Sequence, residues 1–170
     1  MKIERVTLQQ LGELQAISQS TFADAYGPFN TFESMEEYFA TSLSIQKLTE
    51  EIKSLNARFY FLTGDNGQPV AYLKVNFWTD VKEWAPADSL EIERLYVKKE
   101  FQRKKYGTRL MNFAIQLGEE HHINHFWLGV WEFNPDAIRF YETLGYKVVD
   151  KHIFRFGNED QYDFIMHKCL

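Results

Sequence analysis

A single mixed α/β domain is the fold class that the sequence predicts. Short runs in which apolar residues alternate, the mark of a half-buried strand, are interspersed with runs of three- and four-residue apolar spacing, the mark of an amphipathic helix. Asp65-Asn66-Gly67, set between two strand-like runs, is a strong hairpin turn. Residues 90–109 read as a strand, a basic joint and the start of a helix. No repeat, low-complexity tract or linker interrupts the chain, which supports one domain over residues 1–170.

Taken in order, residues 2–6 alternate and are expected as a first strand. Thr7 can cap the helix that follows, with Leu8, Leu11, Leu14, Ile17 and Phe22 along one side, and Gly27-Pro28 stops it. Thr31 or Ser34 opens a short helix containing Met35, Tyr38 and Phe39. Ser44 can cap a third, with Ile45, Leu48 and Ile52 inward. Residues 59–63 and 70–77 make the hairpin, and 79–88 an irregular loop. The strand at 90–97 follows, and from Gly107 the residues Leu110, Met111, Ala114, Ile115 and Leu117 recur at helical spacing. Residues 125–131 are the next strand. The helix at 135–144 is well punctuated: Asn134 at the N-cap, Pro135 in the first position, Asp136 in the first turn and Gly145 just past the end. Strands at 146–156 and 162–168, joined by a Gly157-Asn158 turn, close the chain.

Composition narrows the function classes. A 170-residue chain that is 45% hydrophobic has enough apolar side chains for a core, which argues against disorder. No apolar run reaches membrane-spanning length, and the N-terminus lacks the apolar stretch of a secretory signal. Cys169 is the only cysteine, so no internal disulfide is possible and the cytoplasm is the simplest location. Residues 98–109 hold six of the nineteen Lys and Arg residues and one acid; with a chain total of -5, the remaining residues sum to -10. That balance argues against nucleic acid spread over a broad surface. A compact positive joint at a helix start suits an anion such as phosphate, because free backbone N–H groups and the helix dipole point to the same place. A solvated basic loop explains the same residues.

Other candidates have structural readings beside functional ones. Asn134 is most simply a helix cap. Tyr141 shares a helix face with Ala137, Phe140 and Leu144, which suits a core aromatic. Asp24, Glu33, Glu36, Glu37, Glu50 and Glu51 make the region before the hairpin acidic, with Lys47 its only cation. They either attract a cationic amine, with Tyr26 and Tyr38 adding cation–π contact, or form a solvated helix face. The run His121-His122-Ile123-Asn124-His125 lacks the paired spacing of a zinc site and is expected at a helix end, so no metal is expected.

Two segments together resemble the GNAT superfamily of acyl-CoA-dependent N-acetyltransferases. Leu95-Tyr96-Val97 followed by Phe101-Gln102-Arg103-Lys104-Lys105-Tyr106-Gly107-Thr108 is similar to the family's strand and pyrophosphate loop, Gln/Arg-x-x-Gly-x-Gly/Ala. The stretch from Asn134 to Tyr146 is similar to its second cofactor motif. The element order elsewhere also fits, so the resemblance covers nearly the whole chain. More loosely, Ala25-Tyr26-Gly27-Pro28-Phe29-Asn30-Thr31 looks like the bacterial spermidine/spermine acetyltransferase branch. One departure stands out: Lys105 occupies the place of the family's first loop glycine, where glycine would allow unusual dihedrals.

The resemblance implies a mostly antiparallel sheet of about seven strands flanked by helices, with acetyl-CoA as cosubstrate and no metal. It implies that backbone groups of Leu95, Tyr96 and Val97 meet the pantetheine arm as another strand would, with an N–H near Leu95 serving the developing oxyanion. Gln102, Arg103, Lys104, Lys105, Tyr106, Gly107 and Thr108 would surround the pyrophosphate, and Arg103, Lys104 or Arg109 would reach the 3′-phosphate. Asn134 and Ala137 would contact the cofactor. Tyr141 would sit by the sulfur and serve the departing thiolate; a phenol of pKa about 10 is a modest acid for a thiol of about 8.5, so a hydrogen bond matters more than full transfer. The acceptor arrives as ammonium, so a base must remove a proton. Glu93 and, as fallback through water, Glu91 are the candidates, on the same face as Leu95 by the period of two.

The implied activity is transfer of acetyl to a primary amine, a polyamine or other small cationic amine, by direct attack in a ternary complex. A non-catalytic acyl-CoA sensor is the alternative, and the substituted loop glycine leans towards it. Dimers are common in the family, and the residues alone show no self-complementary surface. No membrane or nucleic-acid partner is expected.

Overall fold

The computed structural model describes residues 1–79, 84–156 and 159–170. In chain order it runs β1 (Lys2–Arg5), a 3-10 turn (Leu8–Gln10), α1 (Leu11–Tyr26), a second 3-10 turn (Gly27–Phe29), α2 (Phe32–Thr41), α3 (Ile45–Lys53), β2 (Ala57–Thr63) and β3 (Pro69–Phe77). It continues with β4 (Ser89–Val97), a third 3-10 turn (Lys99–Phe101), α4 (Tyr106–Glu120), β5 (His125–Trp131), α5 (Pro135–Thr143), β6 (Lys147–Phe156) and β7 (Glu159–Cys169). The strands form one sheet in the order β1-β2-β3-β4-β5-β7-β6. Pairing is antiparallel at β1–β2, β5–β7 and β7–β6, and parallel at β4–β5. The mixed sheet of seven strands is thus as the sequence predicts. The expected Gly157-Asn158 turn, and residues 80–83 of the expected loop, lie outside the described residues.

Local signals act where the sequence puts them, with one adjustment. Thr31 Oγ1 accepts from Ser34 N–H at 3.2 Å and Ser44 Oγ from Lys47 N–H at 3.1 Å, capping α2 and α3. Thr7 does not open α1 directly. Its N–H donates to Gln10 Oε1 at 3.1 Å, and this exchange closes a 3-10 turn before α1 begins at Leu11. Between β2 and β3, Gly64 N–H donates to Gln68 C=O at 2.8 Å, and Gly67 takes the left-handed φ of 76° that the tight turn needs.

The chain divides into two compact units, Met1–Val75 with Arg94–Phe113 and Asn76–Glu93 with Ala114–Leu170. In the first, Val6, Leu14, Ile17, Leu48, Phe59, Phe61 and Tyr72 form a buried cluster, with Leu11, Ile52 and Tyr96 packed on it. Each large side chain so buried contributes about 1.5–3 kcal/mol. The same unit buries charge. Glu51 of α3 pairs with Lys74 of β3 at 2.9 Å and with Arg94 of β4 at 3.0 Å, and the Arg94 guanidinium engages both carboxylate oxygens. The three side chains are only 4–10% exposed. Glu51 was grouped by sequence with the acidic surface; it is instead the counter-ion of two buried cations. Asp24, Glu33, Glu36, Glu37 and Glu50 are exposed, as a solvated face would have them.

In the second unit, β5, β7 and β6 form a continuous antiparallel ladder with a bulge between Val148 and Asp150. Phe126, Leu128, Val130 and Met166 are buried on one face. Gly118 of α4 lies so close to the Phe126 ring that a Cβ there would overlap it. The opposite face carries Trp127, Gly129 and Trp131 from β5, and Asp163 and His167 from β7. Trp127 Nε1–H donates to Thr79 Oγ1 at 3.1 Å, and Trp84 packs edge-on against Trp127 with ring centres 4.8 Å apart. Of the histidine run, His121 and His122 form the turn after α4, and His125 begins β5.

Removing the Glu51 charge leaves Lys74 and Arg94 buried without it. Glu51→Gln is expected to lower unfolding free energy by about 3 kcal/mol, read as a fall in urea midpoint at unchanged slope.

Candidate active site

The catalytic candidates Glu91 and Glu93 stand side by side on the half-buried face of β4, whose alternate residues Leu90, Ile92 and Arg94 are buried. The alternation read from sequence is therefore real. What the sequence did not reveal is how two carboxylates are held there. Asn76 of β3 donates through one Nδ2 amino group to Glu91 Oε2 at 2.7 Å and to Glu93 Oε2 at 2.6 Å. Each N–H of the amide thus serves one carboxylate, and the two glutamates share Asn76 as a donor. Asn76 was missed although a polar residue near the end of an otherwise apolar strand was a visible signal.

The parallel β4–β5 ladder consists of Ser89–His125, Leu90–Phe126 and Glu91–Trp127, and among the described residues goes no further. On the other side of β4, Lys98 N–H donates to Val70 C=O of β3 at 3.0 Å. Backbone groups alternate in direction along a strand, so those of Val97 and Leu95 turn away from β3. On that edge Val97 C=O accepts from Gln102 Nε2 at 3.2 Å. Gln102 thus braces the strand end with its side chain. Tyr96 points to the opposite face and stacks on Tyr72 with ring centres 5.7 Å apart. Desolvation holds its phenol well above the ordinary pKa, with Tyr26, Tyr72 and Tyr38 adding to the effect and a hydrogen bond to Tyr26 contributing. By the same alternation the backbone groups of Tyr96 turn towards β3, so the free strand edge is left to those of Leu95 and Val97. Tyr26 and Tyr38 lie against Phe22, at 4.5 and 4.2 Å between ring centres.

The basic joint resolves the question that Lys105 raised. Arg103 has φ of 61° and Lys105 φ of 63°, both in the left-handed region. Lysine thus adopts the left-handed conformation that glycine takes most readily. Lys105 C=O accepts from Arg109 N–H at 3.0 Å, so the helix begins immediately after it. No acidic residue lies in the first turn. The amides of Tyr106, Gly107 and Thr108 are the helix-start donors that lack an earlier carbonyl within the helix. Lys104 Nζ lies 5.0 Å from the Phe101 ring centre, and Arg103, Lys104 and Lys105 are exposed. Arg109 donates to Met1 C=O at 3.1 Å, which ties it to the chain start and leaves Arg103 and Lys104 as the less constrained candidates for a terminal phosphate.

On α5, Asn134 Oδ1 accepts from Ala137 N–H at 3.1 Å, the cap its sequence position predicts. Tyr141 is half-buried and meets Tyr146 edge-on at 6.2 Å. Tyr146 is 2% exposed and its hydroxyl finds no hydrogen-bond partner among the described residues. Burial, and then Tyr141, push the Tyr146 phenol far up. Tyr146 is thus a neutral wall beside the candidate acid Tyr141.

One further carboxylate stands apart. Asp163 is half-buried, and desolvation raises its pKa to about 6, an effect that nearby His152 reduces. Among the described residues no group of three His, Cys, Asp or Glu side chains is arranged to hold a metal ion, and no helix is long and apolar enough to cross a membrane.

Residues 21–146 match the acetyltransferase (GNAT) family, and the chain belongs to that family. It is 38% identical, over 100% of its own length and 98% of the relative's, to an uncharacterised N-acetyltransferase in the pepI 3′ region of Lactobacillus delbrueckii subsp. lactis. It is 25% identical over 159 residues, 93% of this chain and 96% of the relative, to an uncharacterised N-acetyltransferase of Mycobacterium tuberculosis. Among solved structures it is similar to the PaiA N-acetyltransferase of Thermoplasma acidophilum in complex with coenzyme A, with a TM-score of 0.80, 24% identity and 100% of both chains covered. The ribosomal-protein-S18-alanine N-acetyltransferase of Escherichia coli gives a TM-score of 0.72 at 18% identity, covering 99% of this chain and 92% of the other. At these identities the structures speak for the GNAT fold, and the family supplies the reaction class: an acetyl-CoA-dependent N-acetyltransferase.

Two outcomes are expected here. A left-handed lysine costs about 1–2 kcal/mol, and part of that returns as unfolded-chain entropy when glycine replaces it. Lys105→Gly is therefore expected to raise the stability of the free protein by about 1 kcal/mol in urea unfolding. For Asp163 the folded pKa lies above the unfolded value, so ionisation opposes folding once pH exceeds the unfolded pKa. Asp163→Asn is expected to melt higher than wild type above pH 6, with the gap closing as pH falls below about 4.

Proposed function

We propose that residues 1–170 act as a single catalytic domain that acetylates a primary amine of a small cationic acceptor, a polyamine being the leading candidate. The observation that carries this reading is the carboxylate pair: Glu91 and Glu93, held together by Asn76 on the half-buried face of β4. Carboxylates side by side on a strand face are groups to which an ammonium is drawn. Glu93 takes the proton that frees the amine lone pair, and Glu91 acts beside it through water. The spermidine/spermine acetyltransferase likeness of residues 25–31 points to the same acceptor class.

The residues present also fit the donor. A basic loop with left-handed backbone at Arg103 and Lys105, leading into a helix start without acidic residues, suits a pyrophosphate. In this reading Gln102 fixes the strand end, and the amides of Tyr106, Gly107 and Thr108 and the Thr108 hydroxyl meet the phosphates. Backbone groups of Leu95 and Val97 align the pantetheine arm, and Asn134 and Ala137 are further cofactor contacts, with the Asn134 side chain capping α5. Bound acetyl-CoA supplies the activated acetyl thioester. Tyr141 donates a hydrogen bond to the departing sulfur. The cytoplasm, where acetyl-CoA and a lone reduced cysteine are at home, is the proposed location. The proposed partner is a small-molecule amine and not a nucleic acid, and a homodimer is compatible with this reading.

Release of CoA, followed by thiol detection across spermidine, spermine, diamines, amino acids and N-terminal peptides, tests the acceptor class. Turnover with the small polycationic amines is expected. Glu93→Gln is expected to lower kcat/KM by about 100-fold or more near pH 7, with the deficit shrinking at high pH as free amine accumulates. Wild-type turnover by this variant at every pH would remove Glu93 from the role.

A further inference from the structure

We propose that Asp163 is an acceptor-binding carboxylate, holding a second ammonium group of a di- or polyamine on the sheet face that carries Glu91 and Glu93. The inference rests on the amine-acceptor reading above and names the residue that would give it chain-length specificity.

Register places Asp163 on that face. Glu91 is opposite Trp127, Trp127 is opposite His167, and Trp131 is opposite Asp163. Residues directly opposite share a face, as do residues two apart, so Glu91, Glu93, Trp127, Trp131 and Asp163 all belong to one side of the sheet. Gly129 makes room for the carboxylate. A Cβ at that position would stand 3.3 Å from Asp163 Oδ2 and 3.8 Å from Asp163 Cβ, so Asp163 lies across the strand where any other residue would press on it.

The electrostatics point to a missing cation. Other carboxylates taken partly from water have donors: Glu51 of α3 has Lys74 and Arg94, and Glu91 and Glu93 of β4 have Asn76. Among the described residues no donor is hydrogen-bonded to the Asp163 carboxylate. The titratable group facing it is His152, its Cα partner on β6, while Gly129 and Trp131 on β5 bring no charge. His152 offsets the desolvation of this carboxylate only in part, and an arriving ammonium adds to that compensation.

Spacing sets the ligand. From Glu91, the last paired residue of β4, Asp163 lies two strand spacings across and four residues along the strand direction, on the order of 15 Å between backbones, and Glu93 is two residues further along β4 in the same direction. A monoamine cannot engage both Glu93 and Asp163. A linear diamine or triamine can, with its methylenes along Trp127 and Trp131, whose ring faces also favour cations.

The test compares linear diamines of increasing length with monoamines of matched length, reading CoA release and, in parallel, calorimetric binding of the same amines to the CoA-loaded protein. Wild type is expected to prefer one diamine length over its monoamine by at least tenfold in kcat/KM. Asp163→Asn is expected to raise KM for that diamine about tenfold while KM for acetyl-CoA stays the same. Asp163→Glu should restore part of the preference. Gly129→Ala, which displaces the carboxylate without removing its charge, should weaken the diamine in the same direction. A diamine preference that survives in Asp163→Asn overturns the inference, as does a wild type that treats mono- and diamines alike; in both cases amine acetylation itself stands. A wild type that binds and acetylates no amine takes down the acceptor reading and this inference together.

Discussion

Charge placed on β4 must be compensated where it stands, and much of the surrounding structure follows from that constraint. The strand alternates Glu91, Ile92, Glu93, Arg94, so it sends carboxylates to one face and a guanidinium to the other. Neither can be left without partners away from bulk water. The guanidinium is met by Glu51, which α3 brings in on the turn that also buries Leu48. The carboxylates share the Asn76 amide as a donor. The guanidinium is held through both oxygens of its partner, a geometry that fixes its place on β4.

The basic loop shows the same economy in its backbone. A family position expected to hold glycine holds lysine, and the lysine simply occupies the left-handed region, as Arg103 does two residues earlier. The dihedral is what the turn into α4 requires; the residue that supplies it is secondary.

The sequence was most legible where a rule is local. Caps at Thr31, Ser44 and Asn134, the period-two pattern of β4 and the hairpin turn at 64–68 all depend on neighbours a few residues apart, and all stand where expected. The family motifs were likewise contiguous. What escaped depends on register between distant strands. Asn76 serves Glu91 and Glu93 across fifteen and seventeen residues. Asp163 meets Gly129 only because β7 runs antiparallel to β5. Glu51 is intermediate: its position three residues after Leu48 and beside Ile52 put it near the inward face of α3, a signal that the acidic composition of the region masked.

All four tryptophans, Trp78, Trp84, Trp127 and Trp131, belong to the unit that carries Glu93 and Asp163, while the unit that carries the basic loop has tyrosine and phenylalanine only. Ultraviolet emission excited at the indole band is therefore a one-sided reporter. With Trp127 tethered to Thr79 and flanked by Trp84, its intensity reports on the surroundings of β5. Changes on that strand can thus be followed optically in the unlabelled protein, without waiting for chemistry.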